Sequence, residues 1–207
     1  MPKATSRPLL LRLYLAASRR GGGVARRTLE RRRAEGKEDA ARLGERMGQA
    51  GLPRPEGKLV WFHAASVGEA ASLLEMLRRL TQARPEVSCL VTTGTITSAQ
   101  FMAERLPEHC IHQYATLDVL PWVRGFLDHW RPDVAVWTES ELWPATLVET
   151  DARGIPMLLI NARISARSFK RWRLARGAAR SLLGRFDRIL AQDALAAEQF
   201  RAPAASA

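Results

Sequence analysis

The amino-acid sequence predicts an α/β fold, a Rossmann-like parallel sheet flanked by helices and preceded by a basic helical segment. Three observations carry this expectation. Short apolar runs recur from Leu59 almost to the end of the chain. Between them lie stretches with leucines spaced three and four apart, the mark of a helix with one buried face. Loops rich in Ser, Thr, Gly and Glu follow the runs, as the strand-to-helix turns of a βα repeat do.

The first 50 residues hold 13 Lys/Arg against 5 Asp/Glu. Their apolar run, Pro8–Ala17, is broken by Arg12 and falls well short of the roughly 20 residues that span a bilayer. It has no small-residue cleavage site and fits a secretory signal poorly. With Arg19, Arg20, Arg26 and Arg27 beside it, it suits a segment lying on an anionic membrane surface. Gly21–Gly23 reads as a flexible break, Val24 to about Gln49 as helix stopping near Gly48 and Gly51, and Pro53 and Pro55 as linker. The expected division is 1–52, a partly apolar, membrane-proximal helical segment; 53–200, the Rossmann-like domain; and 201–207, a disordered tail.

Buried strands are expected at 59–62, 87–93, 134–137 and 157–160, with two further strands at 110–114 and 187–191. Leu73, Leu74, Leu77 and Leu80 place a helix over Ala70–Gln82. Arg131-Pro-Asp and Gly154-Ile-Pro punctuate the approaches to two strands. In such sheets ligands bind beyond the carboxyl ends of the strands.

Composition narrows the chemistry. A second basic block, 161–190, sets 9 Lys/Arg against 1 Asp. Basic blocks suit nucleic acid, phospholipid headgroups or a phosphorylated substrate, and a solvated arginine face fits equally. Zinc-finger spacing, an RNP-like sequence and a helix-turn-helix are all missing, so no specific nucleic acid is expected. Cys89 and Cys110 lack CxxC spacing and read as buried, reduced thiols, neither a disulfide nor a metal pair. His109-x-x-His112 has no accompanying ligand set.

Four strand ends carry candidate chemistry. His63-Ala-Ala-Ser66-Val-Gly68-Glu69 follows the first strand. Gly68 permits an unusual turn there, and Glu69 falls in a helix's first turn, where the macrodipole favours its ionised form. It is either a base for a hydroxyl proton or a plain helix-start residue. Thr93-Gly94-Thr95 follows the second strand and offers hydroxyls and free N–H groups to an anion or a sugar. Thr138-Glu139-Ser140-Glu141-Leu142-Trp143-Pro144 follows the strand at 134–137, and Asn161-Ala-Arg163-Ile164-Ser165 the next. Arg163 is a plausible partner for the carboxylates of Glu139 and Glu141, as a structural ion pair or as part of a site.

Taken together, HAASVGE, VTTGTITS, TESELWP and NARISARS, in this order on successive strand ends, resemble the 3-deoxy-D-manno-octulosonic acid (Kdo) transferases. GKED…ARLGERMG upstream and LAQD near Ala191 resemble the same family. The resemblance implies the N-terminal, acceptor-binding domain of a GT-B architecture, with CMP-Kdo held by a C-terminal domain that this chain lacks. It implies an inverting transfer of Kdo to the lipid A precursor at the cytoplasmic face of the bacterial inner membrane, with no cofactor and no metal. It carries the general base onto Glu69 and a transition-state role onto Glu139. His63, Ser66, Gly68, Thr93, Gly94, Thr95, Glu141, Trp143, Asn161, Arg163 and Ser165 become candidate substrate-binding residues. The chain departs from the family pattern at Ala145, where Asn is commoner. Rival readings are another GT-B transferase acting on a membrane lipid, and a non-catalytic basic module binding anionic lipid or nucleic acid.

Overall fold

The structure, a computed structural model, describes residues 7–139, 142–163 and 175–201. Six strands, β1 (Lys58–Ala64), β2 (Val87–Thr93), β3 (Cys110–Tyr114), β4 (Val134–Thr138), β5 (Met157–Ala162) and β6 (Arg188–Ala191), form one sheet in the order β3-β2-β1-β4-β5-β6. Every pairing is parallel. The expected α/β fold and all six strands are therefore present.

Parallel strands buried on both faces read as continuous apolar runs, because alternate side chains enter opposite cores. Leu59 and Trp61 of β1 join one core; Phe62 and Ala64 join the other. The second core is closed by α3 (Val67–Ala83), through Leu73 and Leu77, and α4 (Ile96–Arg105), through Met102. The first is closed by α5 (Leu120–Trp130), α6 (Pro144–Ala152), α7 (Arg176–Leu183) and α8 (Ala194–Arg201).

The amino-terminal segment also belongs to this packing. Leu11 of α1 (Leu9–Arg20) is 2% exposed within the first core. Tyr14 donates to Asp118 Oδ2 at 2.8 Å, and the Ser18 hydroxyl bridges the Asp118 carbonyl and the Leu120 N–H. Two local expectations are corrected. Gly21–Gly23 is no loose break: α2 (Gly22–Ala34) starts one residue after α1 ends, so Gly22 and Gly23 are helical. Nor does one helix run to Gln49. It ends at Ala34, and Glu38 is drawn into a buried ion pair with Arg32 (2.6 Å) and Arg46 (3.3 Å). A 3₁₀ turn follows at Leu43–Met47, and Gly48 ends it at φ 80°, where a Cβ would fall 2.0 Å from the Trp122 carbonyl oxygen. Only glycine fits there.

No helix among the described residues is long and apolar enough to cross a membrane. On α1, Leu9, Leu10 and Leu13 are more than half exposed although Leu11 is buried. Both cysteines are free, and Cys110 is only half-buried, so burial holds for Cys89 alone.

Candidate functional site

The chain builds outward from β1 to β3 and then crosses back to β4, so the topological switch point lies between β1 and β4. Side chains at that junction open onto a crevice beyond the strands' carboxyl ends. Glu69 follows β1 and Glu139 follows β4, which puts one carboxylate on each side of it.

Glu69 is 7% exposed and lies in the first turn of α3. Ser66 is the N-cap: its hydroxyl accepts from the Glu69 N–H and donates to Oε1 at 3.0 Å. The carboxylate reaches back further than an ordinary capping box, to the Ala65 N–H, which donates to Oε2 at 2.8 Å. The Thr138 hydroxyl, from β4, lies 3.1 Å from the same Oε2 and 2.9 Å from the His63 carbonyl oxygen, so its one proton is shared between them. A carboxylate offers about four acceptor positions. Ala65 and Ser66 fill two, Thr138 shares a third with the His63 carbonyl, and one position on Oε1 stays open. Glu69 is thus both a helix-start residue and a fixed acceptor with a lone pair to spare.

Gly68 corrects the expected turn: it sits inside α3, and an added Cβ would meet nothing nearer than the Ser66 Oγ at 4.0 Å. Its missing side chain leaves the approach beside Glu69 open. Gly94 is the glycine under a tight constraint, since its Cβ would lie 3.2 Å from the Ala65 carbonyl oxygen of the neighbouring loop.

The remaining candidates divide into engaged and free groups. Thr93 is fully buried, with its hydroxyl 2.9 Å from His112 Nε2. Thr95 caps α4 in a reciprocal box with Ser98. His63 is 6% exposed; its Nδ1 pairs with the Thr92 hydroxyl at 3.0 Å, and its Nε2 has no partner. Burial, helped by the Arg46 charge, pushes its pKa from 6.5 down to about 4, so the ring is neutral near pH 7. Beside it a cavity of about 20 Å³ is lined by Trp61, Thr92, Phe126, Trp137, Trp143 and Thr146, room for one water. Trp143, half-buried, is the N-cap of α6 and closes that cavity.

Glu139 follows β4 and Asn161 is the penultimate residue of the adjacent β5, both in the left-handed region, at φ 57° and 50°. Asn tolerates this conformation; for Glu it is strain, of the kind that gathers at functional sites. The expected ion pair is present: Arg163 Nε lies 2.9 Å from Glu139 Oε2, with the arginine side chain 61% exposed and the glutamate 21%. Glu141 and Ser165 lie outside the described residues.

Two residues escaped the sequence reading. Thr138 closes the strand before Glu139, a hydroxyl at a strand end next to a singled-out carboxylate, and that adjacency was its only signal. Asp118 accepts from the Ala145 N–H (2.8 Å), the Thr146 N–H (2.8 Å), the Thr146 hydroxyl (2.6 Å) and Tyr14. It caps α6 from the loop before α5, at the position where Ala145 departs from the usual Asn. No local pattern announces a cap supplied from 27 residues away.

Comparison with known proteins gives consistent results. A family model described as 3-deoxy-D-manno-octulosonic-acid transferase (kdotransferase) matches residues 41–207. The chain is 38% identical over 141 residues to a probable mitochondrial 3-deoxy-D-manno-octulosonic acid transferase of Arabidopsis thaliana, covering 68% of this chain and 32% of that protein. It is 37% identical over 158 residues to the Rickettsia bellii 3-deoxy-D-manno-octulosonic acid transferase (76% and 37%). With the Haemophilus influenzae enzyme of the same name it shares 32% over 162 residues (77% and 38%). The chain therefore spans about a third of the length of the curated relatives it matches. A crystal structure titled as the glycotransferase of kitacinnamycin aligns with 64% of this chain and 40% of its own, at 18% identity and a TM-score of 0.40.

Proposed function

The chain belongs to the 3-deoxy-D-manno-octulosonic acid transferase family, and from that premise we propose that it is the acceptor half of an inverting GT-B transferase. Its acceptor is the lipid A precursor, lipid IVA, at the cytoplasmic face of the bacterial inner membrane. Its donor is CMP-Kdo, held by a second domain that accounts for much of the relatives' additional length. The product belongs to the lipopolysaccharide core.

The single observation that carries this reading is the pair of carboxylates flanking the β1/β4 crevice, each held by its own set of partners. An alcohol near neutral pH is a poor nucleophile and needs a base within hydrogen-bond reach. The free position on Glu69 Oε1 receives the proton of the acceptor's primary hydroxyl. That oxygen attacks the anomeric carbon of Kdo from one face while the bond to the CMP phosphate breaks on the other, which inverts the centre. Glu139, oriented by Arg163, stabilises the positive character developing at that carbon. No metal takes part in the transfer.

The exposed leucines of α1, next to the arginines of α2, support docking on an anionic leaflet, where each Lys or Arg near the surface contributes about 1 kcal/mol. Orientation of donor against acceptor supplies much of the barrier reduction, so the chain by itself binds the acceptor and turns over no CMP-Kdo.

The test has two arms. Vesicles carrying lipid IVA should retain the purified chain, and joining it to the remaining two-thirds of a relative should yield Kdo transfer. A joined protein that transfers a different sugar to a membrane lipid would put the chain with another GT-B transferase. One that folds, binds vesicles and transfers nothing would make the chain a non-catalytic lipid-binding module.

A further inference from the structure

We propose that Cys89 and Cys110 form a thiol modification site that small-molecule disulfides convert into an intramolecular disulfide across β2 and β3. The inference does not depend on the transferase reading. The two residues are direct register partners on neighbouring parallel strands, so their side chains leave the sheet on the same face. Neighbouring strands lie about 4.8 Å apart, inside the roughly 4.4–6.8 Å Cα separation that a disulfide spans. The backbone is already drawn together there, with the Cys89 N–H donating to the His109 carbonyl at 2.9 Å.

Each thiol feels the other across the strands: the neighbouring sulfur holds Cys89 below its ordinary range and pushes Cys110 up. Access is unequal: Cys89 is fully buried in the core beneath α3 and α4, whereas Cys110, on an edge strand, is only partly buried against that core. Exposure, rather than acidity, sets the order of events. The raised Cys110 thiol reacts through its small thiolate fraction, and Cys89, held low, is the better nucleophile for the closing step. The Cys110 sulfur attacks oxidised glutathione, forms a mixed disulfide and releases one glutathione thiol. The Cys89 sulfur then displaces the second glutathione. Two thiols lose two protons and two electrons, and one small disulfide becomes two thiols.

The loop so closed contains Thr93, Gly94, Thr95 and α4, the whole second strand-end segment of the candidate site. Thr93 is already fastened to His112 on β3 at 2.9 Å. The new bond would fasten the same two strands four residues earlier on β2 and two earlier on β3, and restrict the turn between β2 and α4.

The experiment uses the full chain in its native state, incubated with oxidised glutathione and then alkylated under denaturing conditions. The expected product is a monomer lighter by two hydrogens, with alkylatable thiols falling from two to none. After non-reducing trypsin digestion, the peptides on either side of Arg105 should remain joined through Cys89 and Cys110. Reductant should restore both thiols. In Cys89→Ser, Cys110 should stop at a stable mixed disulfide with glutathione; in Cys110→Ser, the native chain should stay unmodified. Two thiols still free after incubation, or a product that is only a disulfide-linked dimer, would overturn the proposal. So would modification of Cys89 in native Cys110→Ser.

Discussion

The Thr138 hydroxyl, at the carboxyl end of β4, lies 3.1 Å from Oε2 of Glu69 at the start of α3 and 2.9 Å from the His63 carbonyl oxygen. One side chain thereby joins both sides of the switch-point crevice. It fixes the carboxylate from the strand that also leads to Glu139.

Replacing Thr138 with Val keeps the shape and removes that donor. The one proton that two buried acceptors share is then lost, a cost of roughly 1–3 kcal/mol. Urea unfolding should show the loss, and Thr138→Ser should recover most of it. An unchanged midpoint in Thr138→Val would mean that the remaining donors to Glu69 suffice.

Glu69→Gln tests the proposed base in a protein completed with a donor domain. Gln cannot accept the proton, so turnover should fall about 100- to 10,000-fold, with little change in the Michaelis constants. Glu139→Gln should also slow transfer. Glu75→Gln, on the exposed face of α3 beside Arg79, should not. Turnover of folded Glu69→Gln within a few-fold of the parent would leave Glu69 as a helix cap alone.

Two buried histidines make stability depend on pH. Burial pushes His63 and His112 from 6.5 to about 4, with the Arg46 and Arg42 charges adding to it. Between those values the unfolded chain binds protons that the folded chain excludes. Their contribution is therefore full above about pH 6.5 and is lost as pH falls toward 4, by on the order of 3 kcal/mol for His63 and less for the more open His112. Thermal unfolding between pH 7.5 and 4.5 should trace the decline, and His63→Gln should flatten it. An equal slope in His63→Gln would assign the effect to other groups.

Asp118 should be among the costliest single polar losses. Asp118→Ala removes the cap of α6 and the anchor of Tyr14 together, roughly 3 kcal/mol, whereas Tyr14→Phe should cost about 1 kcal/mol. Differential scanning calorimetry of the two variants should separate them. Equal losses would mean that the α1 contact, rather than the α6 cap, dominates.

Membrane docking is best tested by substitution, because deleting α1 would also remove Leu11 from the core. Leu9→Ser, Leu10→Ser and Leu13→Ser together should weaken flotation with anionic vesicles while leaving the melting temperature near the parent's. High salt should release the parent chain. Binding that is unchanged in the triple variant, or equal on neutral vesicles at any salt, would refute the docking face.

The sequence by itself determined the α/β class, all six strands, the place of Glu69 in the first turn of α3 and the choice of Arg163 as partner for Glu139 or Glu141. These are legible because period, capping and strand-end chemistry are local properties: apolar runs buried on both faces look alike in any parallel sheet. Only the tertiary structure decided which groups are already spent. Thr93 and Thr95 read as ligand hydroxyls, yet one pairs with His112 on the next strand and the other with Ser98. The end of α2 at Ala34 and the reach of Asp118 to α6 depend on partners brought together by folding. So does the register that sets Cys89 opposite Cys110. Sequence spacing carries no record of contacts between residues 20 to 100 positions apart, because their energy exists only after the sheet has closed over them.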